Sequence, residues 1–165
     1  MSSFSRIAFT PGVQALQERM GSRRAYARRE AGPDDRIGPD EAAFIAERDS
    51  FYLATVSESG WPYVQHRGGP KGFVRVVDEH TLSFADERGN RQYITAGNLA
   101  ANDRVALIFV DYPNRARLKV LARATRAEFE GAFVLRVEGL DWNCSRNITP
   151  RYTEAELAAI IERAR

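Results

Sequence analysis

One cysteine and two histidines among 165 residues leave little to build metal or thiol chemistry from. A single cysteine, Cys144, excludes an internal disulfide framework and points to a reducing compartment. With only His66 and His80 beside it, no four-ligand zinc site of nitrogen and sulfur donors can be assembled. Long apolar runs are also missing: Val105 to Val110, the longest, has the length of a strand and cannot span a bilayer. Met1 to Phe9 lacks the apolar segment of a secretory leader. We therefore expect a cytoplasmic protein, in which the glycosylation sequons at Asn143 and Asn147 carry no meaning. The motifs GxGxxG, GxxxxGK, HExxH and GxSxG are absent as well. Nor is there much charge of one sign. The 24 basic and 22 acidic residues nearly cancel, too balanced for nucleic acid or a membrane surface as the main partner. The imbalance is local, with five arginines between Arg19 and Arg29 followed by an acidic stretch from Asp34 to Glu47.

What is present is an ordinary globular composition, 44% apolar and 28% charged, in a chain long enough for one domain with a real core. Met1 to Thr10 reads as an extended or frayed arm. Val13, Leu16, Met20 and Tyr26 then recur at roughly helical spacing to about Arg29, interrupted at Gly21. Gly32 to Asp35 is a turn-forming loop, and Asp40 to Glu47 a short helix opened by acids at its positive end. From Phe51 the texture is β. Phe51–Val56 and Trp61–Arg67 form one hairpin, and Gly72 or Phe73 to Val77 with Thr81–Phe84 a second. A helix over Gln92–Ala101 interrupts the strands, which resume at Arg104–Asp111, Leu118–Glu128 and Ala132–Gly139. Thr153 to Glu156 is a capping box for a last helix with the stripe Leu157, Ile160, Ile161 and Ala164. Short turns with few helices predict a mainly β fold, a closed antiparallel barrel of six or seven strands flanked by helices. The chain divides into an N-terminal arm and helix (1–39), a barrel domain (40–152) and a C-terminal helix packing on the barrel (153–165).

The stretch with most chemistry runs from Tyr63 to Asn102. Arg67 and Arg91 stand where a strand gives way to a glycine-containing loop, and arginine's planar fork clamps phosphate at two points. Glycines beside them let backbone N–H groups approach the same anion. Arg91 follows Gly89 and Asn90 and precedes a helix N-terminus, a favourable place for an anion. The plain alternative is that both arginines are solvated or paired with Asp86 and Glu87. Gln65 shares Arg67's face by the period of two, and His66 takes the other. Cys144 reads as a small buried hydrophobe or a reactive thiol, and Trp142 as core filler or the cover of a flat ring. Arg117 and Lys119 point one way along their strand and edge the sheet.

Phe51-Tyr52-Leu53-Ala54-Thr55-Val56 followed by Gly60-Trp61-Pro62 resembles the opening of the pyridoxamine 5'-phosphate oxidase-like, FMN-binding split-barrel family. Gln65 to Pro70, Gly72-Phe73, Gly89-Asn90-Arg91, Asn98-Leu99, Asp141 to Cys144 and Ile148 to Tyr152 continue the likeness, which covers about Glu41 to Tyr152. The resemblance implies a six-stranded antiparallel split barrel working as a homodimer, with FMN at the subunit interface. It implies that Arg67, with Arg91 and Gln92 and with Asn90 in the same turn, holds the FMN phosphate, unless Gln65 takes the arginine's place. Gln65, His66, Phe84, Ala85 and Asp86 would run along the flavin, and Trp142 would reach it from the partner subunit. The family's C-terminal Arg-x-His substrate motif is missing: Asn143 to Asn147 stands there, and no histidine follows His80. The expected function is an FMN-dependent oxidoreductase acting on a small molecule other than the vitamin B6 phosphates. A non-catalytic module for flavin, haem or another planar ligand is the alternative, ahead of a nucleic-acid binder using the arginine-rich helix.

Overall fold

A computed structural model describes residues 3–30, 32, 35–87, 89–127, 131–142 and 145–164. Asn143 and Cys144, and with them the two readings of the cysteine, lie outside the described residues. So do Pro33 and Asp34 of the turn-forming loop and the side chain of Arg29.

The chain runs α1 (Ser3–Ala8), α2 (Pro11–Arg19), α3 (Arg23–Glu30), α4 (Pro39–Ala46), β1 (Ser50–Val56), β2 (Pro62–Gly68), β3 (Arg75–Asp78), β4 (Thr81–Ala85) and α5 (Ile94–Ala101). It continues with β5 (Arg104–Asp111), β6 (Ala116–Ala127), β7 (Ala132–Trp142) and α6 (Glu154–Arg163). All strand pairs are antiparallel, in the order β2-β1-β5-β6-β7-β4-β3. The fold is mainly β with flanking helices, as expected. The closure differs from expectation. The sheet has seven strands, within the six or seven read from the strand pattern and one more than the resemblance implies, and among the described residues its edges, β2 and β3, do not pair. β3 is only four residues long and its register slips between Val76 and Asp78, so it offers no continuous ladder to close against.

One face of the sheet curls round a single core. Phe51 and Leu53 of β1, Leu107 and Phe109 of β5, Leu118 and Val120 of β6, and Leu82 and Phe84 of β4 are all nearly inaccessible. Their positions follow the period of two along each strand, and the pairing Leu53↔Leu107 and Leu107↔Val120 carries that face across the sheet. The expectation that β5 is central and apolar on both faces agrees with its place between β1 and β6.

Gly21, in the left-handed region at φ 73°, breaks the N-terminal helical pattern into α2 and α3. The first residues are not an extended arm. They form α1, which lies on the outer face of β7, where Gly139 leaves room for the main chain of Phe4. The Asp35 carboxylate fastens this contact by accepting from the N–H of Phe4 at 2.6 Å and of Leu140 at 3.2 Å. Helix α6 opens with the expected capping box, Thr153 with Glu156. It stands beside the β5–β6 turn, and Leu157, Ile160 and Ile161 remain 42–50% exposed.

A Cβ at Gly139 would lie 2.7 Å from Cα of Phe4, a clash of backbone that no side-chain rotation relieves. Gly139→Ala is expected to unseat α1 at a cost of about 1–3 kcal/mol. Thermal melts and limited proteolysis near the N-terminus check this. Unchanged melting and an unchanged cleavage pattern would show that α1 does not depend on this approach.

Candidate functional site

Strand β2 is half-buried at Tyr63, Gln65 and Arg67 and exposed at Pro62, Val64, His66 and Gly68. Arg67 pairs with Phe51 and Gln65 with Leu53, so both point to the concave side of the sheet. His66 faces outward with Tyr52, ring centroids 5.5 Å apart. The strand alternation therefore places Gln65, Arg67 and His66 as the sequence predicts.

Arg67 enters the seam that hydrogen bonding leaves open. Its guanidinium carbon lies 5.8 Å from the ring centre of Phe84 and 5.4 Å from that of Phe133, neighbours on β4 and β7. Its Nε is buried without a hydrogen-bond partner. Burial pulls the guanidinium below the ordinary arginine value, opposed by the nearby charges of Asp86 and then Tyr63. It remains a cation. The result is a half-buried positive charge with one buried donor, Nε, left unused, an arrangement that favours an incoming anion.

Helix α5 supplies the second half of the site. Thr95 Oγ1 donates to Gln65 Oε1 at 2.8 Å, and Asn98 Nδ2 donates to the buried Thr55 Oγ1 at 2.8 Å. These two bonds, three residues apart on one helical face, fix α5 to β2 and β1. Its N-terminal residues Ile94, Thr95 and Ala96 then line the same cavity as Arg67, with the positive end of the helix turned toward it. The helix starts at Ile94, two residues later than expected, because Arg91 (φ 59°) and Tyr93 (φ 52°) are left-handed. Asn90 Oδ1 accepts from the N–H of Gln92 at 3.1 Å and shapes that turn.

Two adjoining cavities share Gln65, Arg67, Glu87 and Gly89 in their walls. The first, about 300 Å³, also takes in Asp86, Asn90, Arg91 and Arg126. The second, about 240 Å³, takes in His66, Phe84, Ala85 and the Gly68–Pro70 loop. The structure thus brings together Gln65, His66, Arg67, Phe84, Ala85, Asp86, Asn90 and Arg91 around Arg67. Gln92 is exposed and lines neither cavity. Trp142 lines neither cavity as well. Its Nε1 donates to Glu41 Oε1 at 2.6 Å, its ring meets Phe44 edge-on at 4.8 Å, and it is 42% exposed beside α4.

The glycine loop does something other than cradle an anion. The Gly69 N–H donates to the Asp49 carbonyl at 2.8 Å, and a Cβ at Gly69 would meet the Phe73 side chain at 2.7 Å. The glycine lets Phe73 fold back onto Phe51, with ring centroids 5.7 Å apart. Six residues of the first cavity went unread in the sequence: Tyr93, Ile94, Thr95, Ala96, Arg126 and Phe133. Thr95 lies inside the expected helix, one turn from Asn98, and that spacing was the available signal. Arg126 carries no local signal, since it reaches the cavity only through the pairing of β6 with β7 and of β7 with β4.

Known proteins share this architecture. A structure described as a putative pyridoxamine 5'-phosphate oxidase from Lactobacillus delbrueckii is 24% identical, spanning 65% of this chain and 94% of that one with a TM-score of 0.50. HupZ of Group A Streptococcus is 15% identical over 70% of this chain and 99% of its own, with a TM-score of 0.51. An FMN-binding protein from Syntrophomonas wolfei is 11% identical over 79% and 97%, with a TM-score of 0.50. At these identities the likenesses show the fold. No curated protein matches the sequence significantly. The family model described as pyridoxamine 5'-phosphate oxidase matches residues 37–140, from the approach to α4 through nearly all of β7, and includes every residue that lines the two cavities. The match spans more than half of the sequence, and this chain belongs to the pyridoxamine 5'-phosphate oxidase family.

Proposed function

We propose that the chain is an FMN-binding flavoprotein that acts as an oxidoreductase on a small molecule, with the cofactor between two copies of the chain. The observation that carries this reading is Arg67: a half-buried guanidinium with an unpartnered buried Nε, in a cavity also lined by the N-terminus of α5. A phosphate monoester fits that donor set. Arg67 and Arg91 would take its oxygens, and the free N–H groups at the start of α5 would add donors without a change of backbone. The fold class of the family and the FMN-binding neighbour from Syntrophomonas wolfei support the same cofactor.

Bound FMN would supply two-electron chemistry at its ring. The chain's own part is to bind and orient. Gln65, held by Thr95, keeps the amide of β2 in one position, and Phe84 and Phe133 give Arg67 an apolar wall that excludes water. A second copy is supported by the exposed apolar side chains Tyr52 and Val64 on the outer side of β1 and β2, at 39% and 61%, and by Trp61 in the turn before β2, at 75%. The exposed part of Trp142 is then free to meet the cofactor of the other copy.

The second reading, a module that holds flavin, haem or another planar ligand without turnover, is favoured by one feature. Asp86, the carboxylate beside Arg67, is engaged by Arg126 at 2.6 Å rather than left as an acid or base. Reduction of the bound flavin by a nicotinamide cofactor separates the two readings, since storage needs none. The missing Arg-x-His motif argues that vitamin B6 phosphates are not the substrate in either.

Arg67→Ala is expected to weaken FMN binding about tenfold to hundredfold, the range of one lost charge-assisted contact. Riboflavin, which lacks the phosphate, serves as the control and should bind the variant and the parent alike. Equal FMN affinity in both proteins would remove the phosphate assignment. For the interface, sedimentation should give twice the chain mass of 18.6 kDa, and Trp142→Ala should brighten the bound flavin. A monomer at micromolar concentration, or unchanged flavin fluorescence in the variant, would place Trp142 with α4 alone.

A further inference from the structure

The outer face of the sheet carries one apolar row across five strands. Val64 pairs with Ala54, Ala54 with Ala106, Ala106 with Leu121 and Leu121 with Gly139. Helix α1 covers the Gly139 end. Ala54, Ala106 and Leu121 floor a groove of about 480 Å³, walled on one side by Ile7. At its rim Arg123 and Glu138 pair at 2.7 Å, and Arg104 has no ion pair among the described residues. The second uncovered surface is α6. This helix of ten residues buries none of them, and it is too short to be stable in water by itself. Ile160 lines a cavity beside Pro113 and Asn114, whereas Leu157 and Ile161, one turn apart, do not. The chain reaches α6 along the outer face. Arg151 lies 5.1 Å from the ring centre of Tyr112, whose hydroxyl hydrogen-bonds with that of the outward Tyr52.

We propose that the groove receives α6 of a second copy, which in turn receives α6 of the first. This rests on the two-copy reading of the preceding section and says what completes that interface. Tyr52, Trp61 and Val64 alone are few for a stable dimer, which takes about 800 Å² from each partner. The groove continues their patch through Val64 and Ala54, and α6 adds the apolar stripe that fills it. Within one chain the two surfaces stand at opposite ends of β5. The groove holds Arg104 to Ala106, and α6 stands past Asp111, roughly 20 Å along the strand. A two-fold axis lying across the strands near Ile108 turns the second copy end for end and lays its α6 over the groove. The contact is isologous and closes at two copies. Glu154 and Glu162, near the ends of α6, have no ion pair among the described residues and supply a counter-charge for Arg104 (Arg163 Nε donates to the Ala159 carbonyl at 3.1 Å).

The test uses the full chain and sedimentation across a dilution series. Leu157→Asp with Ile161→Asp, and separately Ala106→Glu, should each weaken self-association about tenfold or more. The combination should cost little beyond either one, because both break the same contact. Proximity is read by disulfide formation in a Cys144→Ser background, which removes the one native cysteine. A copy carrying Ala106→Cys and a copy carrying Ile161→Cys should bridge at twice the chain mass on mild oxidation, in their mixture and in neither alone. The cysteine variants change the surface least, so they decide the matter even where Ala106→Glu unsettles the sheet. If the parent is a dimer that these variants neither loosen nor bridge, the docking is overturned while the two-copy reading stands. A monomeric parent overturns both. With Ala106→Cys and Ile161→Cys in one chain, a bridge at monomer mass would give the groove to the chain's own helix and overturn the exchange.

Discussion

The site depends on a place where backbone hydrogen bonding stops. Six strand pairings curl the sheet round one core, yet its edge strands β2 and β3 do not meet among the described residues. A sheet that closed there would satisfy its main chain and leave no entry for a ligand. In the open seam side chains take the place of the ladder. Arg67 extends from the edge strand over Phe84 and Phe133 and is stripped of water on that side. Burial of the guanidinium is only partly offset by the charge of Asp86, and that remaining cost favours an incoming anion at this edge.

Precision comes from α5. A helix inserted between β4 and β5 has many possible orientations, and two side-chain bonds choose one. Asn98 to Thr55 is buried and anchors the helix to β1, and Thr95 to Gln65 ties its first turn to the neighbour of Arg67. Both bonds stand on the strand face that also carries the core, so the packing of Phe51 and Leu53 and the orientation of α5 are one problem. The left-handed residues Arg91 and Tyr93 complete the turn into the helix, and backbone of this kind is commonly held in place by its surroundings at ligand sites.

Much of this was legible beforehand. Each strand of the sheet could be found from its β-branched and aromatic run, since the period of two shows which side of a strand faces the core. Gln65 and Arg67 on one side and His66 on the other followed from that period alone. Thr153 and Glu156 announced α6, because a capping box is a contact between residues three apart. Helix α1 was not legible, because it exists through Gly139 and Asp35, which lie far along the chain from it. The failure of the barrel to close was equally hidden, since an edge is defined by what a strand does not pair with.

By itself the sequence determined whatever depends on neighbours a few residues away: strand faces, caps and the break at Gly21. Tertiary structure alone decided what the arginines face. Arg67 and Arg91 drew attention as arginines beside glycines, yet Arg126, 59 positions after Arg67, enters the same cavity through strand pairing. Asp86 looked like a neighbour of the flavin or a partner of Arg67, and the fold gave it to Arg126. Charge interactions fall off over a few ångströms in space and are indifferent to separation along the chain. Register, which is a property of paired strands, therefore decides which charges meet.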